Sequence, residues 1–260
     1  MHNKRVSTTI SVVILSLIAV AFLFPFAWMV ATSLKPTTEV FSLSPTGSRI
    51  AWDNYPSALS SIPFGRVVLN SFIVSLAGAA LVVVVSVLSA YAFARLRFKG
   101  RDHLFMLFLG TLVLPQEVLV IPLYIGMQRM GLVNSYFALI VPFAFGAFGA
   151  FLIRQFLMSL PLEFEEAARI DGCSDWKILT KILLPLLKAP ITVVGVFAFI
   201  DYWSAFLWPL IVVNDSSLAT IPLGLQMFSV TMTTIPSILL VVFLQKQLEK
   251  GVTLGAFGGR

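Results

Sequence analysis

Long apolar runs separated by short polar interruptions make up most of this chain. The first, Ile10 to Ala31, holds about 20 residues, enough to cross a hydrocarbon core of ~30 Å at ~1.5 Å per helical residue. A cleavable signal peptide would carry a shorter apolar region of roughly 7–15 residues and a small-residue cleavage site. This run is longer and ends in Phe24-Pro25-Phe26-Ala27-Trp28, so a retained span is expected. Residues 32–65 are mixed and proline-containing and read as a loop. Val67 to Ala94 reads as the second span, with Asn70, Ser71 and Ser75 near its outer end and Gly78-Ala79-Ala80 as a small patch for close helix packing. Leu104 to Ile125, interrupted by Pro115 and Pro122, is the third, and Tyr136 to Leu157, with Gly146, Gly149 and Ala150, the fourth. Leu187 to Val213 is the fifth, closed by the turn Asn214-Asp215-Ser216-Ser217. The last run, Ile235 to Leu244, has only 10 residues with Pro236 inside and reaches about 15 Å, half of what a span needs, so the last span is incomplete in this sequence. The pattern predicts an all-α polytopic membrane protein of about six transmembrane helices, organised as a single domain over residues 1–260.

Composition narrows the function classes. The chain is 58% apolar and only 12% charged, where a soluble domain carries about a quarter. The net charge of +6 fits basic loops on one side of a membrane better than a nucleic-acid surface, so membrane lipid is an expected partner and nucleic acid is not. The N-terminus, the 95–101 loop, the 154–188 segment and the C-terminal tail hold two, four, five and three of the 18 basic residues, leaving Lys35, Arg49, Arg66 and Arg129 on the other side. The positive-inside rule then predicts cytoplasmic N- and C-termini. One cysteine, Cys173, excludes an internal disulfide, and two histidines with it make no metal set, so no metal or cofactor is expected. No Gly-Lys dipeptide occurs, so the chain lacks a Walker-type phosphate loop and is not expected to be an enzyme.

The longest polar interruption, within residues 158–185, is the most informative stretch. Glu163, Glu165, Glu166 and Asp171 precede Gly172, which suits a left-handed helix terminus, and Ser174 suits the N-cap of a following helix. A short helix of about two turns, a sharp corner and a second helix entering the membrane at Pro185 are predicted. Glu166-Ala167-Ala168, three residues, Gly172, nine residues, Ile182, one residue and Leu184-Pro185 fill every fixed position of the EAA loop of binding-protein-dependent ABC importers, which this chain resembles. Ala94 to Arg101 looks like that family's first cytoplasmic loop. Trp203-Ser204-Ala205-Phe206-Leu207-Trp208-Pro209 looks like its fifth-span run, with Ser204 where asparagine is usual. Ile221-Pro222-Leu223-Gly224-Leu225 looks like the segment before its last span. The resemblance is to the carbohydrate-uptake branch, and is similar to the smaller permease subunit of the maltose transporter.

That resemblance implies a six-span permease in a bacterial or archaeal cell membrane. It also implies a second, unlike permease subunit, two ATP-binding subunits that carry ATP and magnesium, and an extracytoplasmic sugar-binding protein. On this reading Phe164, Glu165, Glu166, Ala167, Ala168, Asp171, Gly172, Ile182, Leu184 and Pro185 couple the chain to an ATPase subunit. Glu166 makes the charged contact and Phe164, Ala167 and Ala168 fill a groove, while a plain solvated charge is the alternative for Glu163 and Glu165. Asp201 within the fifth span, and Gln116 and Glu117 after Pro115, are candidates for the solute path, with structural hydrogen bonding or placement in interfacial water as the alternatives. Trp203 and Ser204 join that set, the tryptophan either stacking on a sugar face or standing in an aromatic belt. A stand-alone secondary transporter or a non-sugar importer permease would be the rival function; the former predicts more intramembrane charge than Asp201 and Glu117.

Overall fold

A computed structural model describes residues 2–61 and 63–224; Leu225, the run Ile235–Leu244 and the tail lie outside the described residues. Every regular element among the described residues is helical, as expected where backbone polar groups must be satisfied within each segment. The chain falls into two compact units, one running to Phe64 and one covering Gly65–Gly224.

The first unit holds α1 (His2–Ser33) and α2 (Asn54–Ser61). From Ser11 to Ser33, α1 is apolar enough to span a membrane, and none of its most apolar window is buried. Just beyond it, Lys35 is buried, donating to the Ser42 carbonyl at 3.0 Å with its ammonium 5.0 Å above the Trp28 ring. Asn54 donates to the Ser33 and Lys35 carbonyls and ties α2 to that corner.

The second unit is built on α3 (Phe64–Arg95), 32 residues and so about 48 Å long. α4 (Arg101–Gly110) is extended by a 3-10 turn to Val113 and meets α5 (Gln116–Arg129) at a bend of 102° around Pro115. Pro122 lies inside α5 without ending it. α6 (Tyr136–Ile140), α7 (Ala147–Ser159), α8 (Glu163–Ile170), α9 (Asp175–Leu186), α10 (Lys188–Ser204), α11 (Leu207–Val212) and α12 (Ile221–Gly224) follow. Two helices are long and apolar enough to cross a membrane among the described residues, or up to five if each of three bent pairs is one span.

Besides Leu104–Ile125, bent at Pro115, two more expected spans are broken. Tyr136–Leu157 divides between α6 and α7, because Pro142 has no N–H for the Ala138 carbonyl. That carbonyl accepts instead from Trp208 Nε1 at 2.8 Å, and the Ile140 carbonyl accepts from the Tyr202 hydroxyl. Leu187–Val213 divides at Ala205, which is extended, and the chain restarts as α11 with Pro209 in its first turn, where a missing N–H is tolerated. The second helix of the polar corner does not run straight into the membrane at Pro185 either: α9 ends at Leu186, and α10 leaves it at 81°.

Hydrogen bonds sort the loops of this unit into two ends. Asn70, buried near the start of α3, donates to the Ser217 and Ala219 carbonyls and accepts from the Tyr136 hydroxyl, while Ser71 accepts from the Ile221 N–H. Asn134, whose φ of 61° a short polar side chain tolerates, accepts from the Asn214 and Asp215 N–H groups. About 37 Å along α3, Arg95 contacts the ends of α7 and α8. Of the segments grouped by charge in the sequence, the 95–101 loop and the 154–188 segment thus lie together in space. Small residues let the helices between these ends approach closely. A Cβ on Gly78 would lie 2.6 Å from the Tyr202 ring, and one on Gly149 would overlap Ser86 Oγ and stand 2.8 Å from Val194 Cγ1. Gly146 meets no such neighbour.

Candidate functional site

The polar corner folds as its residues dictate. Glu163, Glu165 and Glu166 occupy the first turn of α8 and Arg169 its last, each sign placed where the helix dipole favours it. Gly172 has φ +75°; its N–H bonds the Arg169 carbonyl at 3.0 Å while the Cys173 N–H bonds the Ala168 carbonyl at 2.9 Å. This is the paired terminus for which a residue without Cβ is preferred. Ser174 caps α9, its hydroxyl accepting from the Lys177 N–H. Within α9, Ile178–Leu183 is wound as a π-helix. Pro185 withholds an N–H from the Lys181 carbonyl there, and the Thr180 hydroxyl takes the Trp176 carbonyl.

The structure divides the motif between two faces. Glu166, Ala167 and Asp171 are exposed, as are Phe164 at 51% and Ile170 at 87%. Ala168 faces the other way, in a buried cluster with Val87 and Ala90 of α3, Ile153 and Leu157 of α7, and Ile178 and Leu183 of α9. Ile182 and Leu184 pack against the same cluster, and Pro185 is exposed. The expectation that Ala168 fills a partner's groove is therefore corrected: it is occupied within its own chain.

Glu165 is not a solvated charge, being only 1% exposed. Its Oε1 accepts from Arg95 Nε at 2.5 Å, and Arg95 Nη2 donates to the Leu157 carbonyl at 2.7 Å and the Leu160 carbonyl at 3.2 Å. Arg169 stands 3.9 Å from Glu165 Oε2 and donates to Asp175 at 3.2 Å, a bond that raises the guanidinium's pKa further and keeps it charged. Sequence reasoning placed Arg95 in a basic loop. No local signal links it to an acid 70 positions on.

The second feature is a cavity of about 480 Å³, within the range of small-molecule sites. The bend at Pro115 brings Gln116 and Glu117 to it, and the last turn of α10 brings Asp201 and Ser204; Phe143, Phe206 and Gly146 complete much of the wall. Asp201 lines it with no hydrogen bond or ion pair among the described residues. Four of the five residues expected on a solute path thus converge. Trp203 does not: it is buried between Phe72, edge-on at 4.9 Å between ring centroids, and Phe199, stacked at 5.6 Å. Trp208 is buried too, on the Ala138 carbonyl. Burial takes both tryptophans out of a surface belt; Trp203 is off the cavity, while Trp208 contributes to its lining.

Residues 82–253 match the family described as binding-protein-dependent transport system inner membrane component. The lactose transport system permease protein LacG of Rhizobium radiobacter is 30% identical, with 96% of each chain covered. The arabinooligosaccharides transport system permease protein AraQ of Halalkalibacterium halodurans is 32% identical over 93% of each. The sn-glycerol-3-phosphate transport system permease protein UgpE of Pectobacterium atrosepticum is 34% identical, covering 96% of this chain and 98% of its own. A solved bacterial ABC transporter involved in the import of the acidic polysaccharide alginate has a chain of similar fold, with a TM-score of 0.73 at 22% identity, covering 99% of this chain and 98% of its own.

Proposed function

We propose, because this chain belongs to the family of binding-protein-dependent transport system inner membrane components, that it is one permease subunit of an ABC importer for a sugar or sugar-like solute. The observation that carries the reading is the two-faced corner: α8 is fixed to its own chain by Glu165 and Ala168 while presenting Phe164, Glu166, Ala167 and Ile170 outward. An exposed apolar pair beside a carboxylate with no ion pair among the described residues is what a soluble partner with a groove and a fixed cation would cover. That partner is an ATP-binding subunit, one of two beneath this chain and a second, unlike permease. An extracytoplasmic binding protein delivers the solute, and the charge distribution supports cytoplasmic termini. ATP binding and hydrolysis on the partner drive alternating access. Swinging a pore from 1:99 to 99:1 takes about 5.5 kcal/mol of differential binding, which only a firmly packed lever transmits.

The solute passes the cavity lined by Gln116, Glu117, Asp201 and Ser204. Carboxylate and amide oxygens accept from hydroxyls, and the aromatic walls suit the apolar faces of sugar rings. The solutes in the relatives' names, lactose, arabinooligosaccharides and sn-glycerol 3-phosphate, share hydroxyl-rich carbon skeletons.

In cells expressing the whole importer, Glu166→Ala removes a charge-assisted contact of about 1.5–3 kcal/mol, a factor of roughly ten or more in affinity. Uptake of labelled sugars and polyols from a panel is expected to fall accordingly, and the ATP-binding subunit to be lost from the purified complex. Gly172→Asp is expected to do the same by straining the left-handed terminus. Transport intact and the ATPase retained in both variants would refute the assignment.

A further inference from the structure

Two arginines cross between α3 and α7 where both helices end. Arg95, the last residue of α3 and only 7% exposed in its side chain, donates to the Leu157 and Leu160 carbonyls at the end of α7. Arg154 of α7 donates in return to the Phe93 carbonyl of α3 at 3.2 Å and lies 4.1 Å over the Phe105 ring of α4. Each helix therefore has carbonyls of its last turn bonded by the other's side chain, that of Leu157 also accepting from the Leu160 N–H. From Arg95 a series of alternating charges continues through Glu165 and Arg169 to Asp175, from α3 through both ends of α8 to the first residue of α9.

The connection between α7 and α8 is only Leu160-Pro161-Leu162, and the two helices meet there at 78°. A joint so short, between a span and an exposed helix, would be a natural hinge. Arg95 spans it. One guanidinium holds the Leu157 and Leu160 carbonyls on one side of the bend and the Glu165 carboxylate on the other. The planar fork reaches all three acceptors at once, which a lysine ammonium on its flexible stem would not do with the same geometry.

We propose that Arg95 is a positioning residue that locks the angle between α7 and α8, so that a displacement imposed on α8 is carried into the ends of α3 and α7 instead of being absorbed at the bend. The inference rests on the reading that α8 seats on an ATP-binding subunit. It assigns to a residue outside the corner the task of making that corner rigid. Its partner Glu165 acts by facing inward, while the adjacent Glu166 faces the motor.

The test uses the whole reconstituted importer with Arg95→Lys and, separately, Glu165→Gln, which keeps the size of the side chain and an acceptor. Both variants should retain the ATP-binding subunit and hydrolyse ATP, yet move at least about fivefold less labelled solute per ATP, the lower end of ordinary coupling between sites. In a Cys173→Ser background, spin labels at Ser159 and Ala167, both exposed, measured in the permease before the ATP-binding subunits are added, should give a narrow distance distribution that broadens in each variant. Wild-type solute per ATP, or an unchanged distribution, in either assembled variant would overturn the proposal. If Arg95→Lys does not assemble, Glu165→Gln carries both readouts. A Glu166→Ala complex that keeps its ATPase would instead count against the seating of α8, and the spin-label widths would still decide whether Arg95 fixes the bend.

Discussion

Glu165→Ala is expected to destabilise the protein far more than the same change at either neighbouring acid of α8. It leaves the Arg95 guanidinium, itself nearly buried, without its carboxylate. Removing one partner of a buried ion pair typically costs about 3–5 kcal/mol. Glu163→Ala and Glu166→Ala alter exposed positions and should stay within about 0.5 kcal/mol. Thermal unfolding of the permease purified without the ATP-binding subunits, followed by size-exclusion chromatography after heating, ranks the three. The double variant Arg95→Met/Glu165→Leu should recover most of the lost stability, since apolar replacement of a buried pair is often neutral. It should not recover coupling, because no fork then bridges the bend. A melting point for Glu165→Ala equal to that of Glu163→Ala would contradict the buried pair.

Gly149→Leu is expected to have the second large effect. α7 passes α3 and α10 so closely there that even a Cβ would overlap Ser86 and press on Val194. Overpacking typically costs about 1–3 kcal/mol, and this site belongs at the top of that range because the first atom added already collides on two sides. The complex should assemble poorly or melt early. Gly146→Ala, three residues away where nothing lies within 4 Å, is the matched control and should melt like the wild type. Equal stability of the two would mean that the close helix contact is not maintained.

The corner was the most legible part of the chain because its signals are local. Gly172 needs only its own φ, Ser174 only the N–H three residues on, and the acids only the dipole of the helix they begin. The 95–101 loop and the 154–188 segment could be put together because basic residues mark one side of a membrane without reference to packing. The breaks in the apolar runs were harder to place. A continuous apolar stretch has no polar face whose period could change at a break, and prolines alone do not decide: Pro142 and Pro209 stand at breaks, while Pro122 sits inside an intact helix. What settles Pro142 is Trp208, whose indole takes the freed Ala138 carbonyl from 70 positions away. The roles of Glu165 and Glu166 were illegible for the same reason. Neighbouring residues on a helix point about 100° apart, and in an eight-residue helix it is distant partners, Arg95 and the cluster around Ala168, that determine which acid turns inward. Asp201, Gln116, Glu117 and Ser204 could each be noticed, but their convergence depends on the bend at Pro115 and the break at Ala205.

The outward face of α8 is the joint on which the proposed mechanism turns, and Ile170, 87% exposed, is its most accessible apolar side chain. A photo-crosslinking phenylalanine placed at Ile170 in the assembled importer, irradiated in native membranes, reads what that side chain touches. The expected product is one adduct between this chain and an ATP-binding subunit, identified by mass spectrometry. An adduct with the extracytoplasmic binding protein, or with lipid alone, would place the corner on the wrong face or away from any motor and would contradict the mechanism.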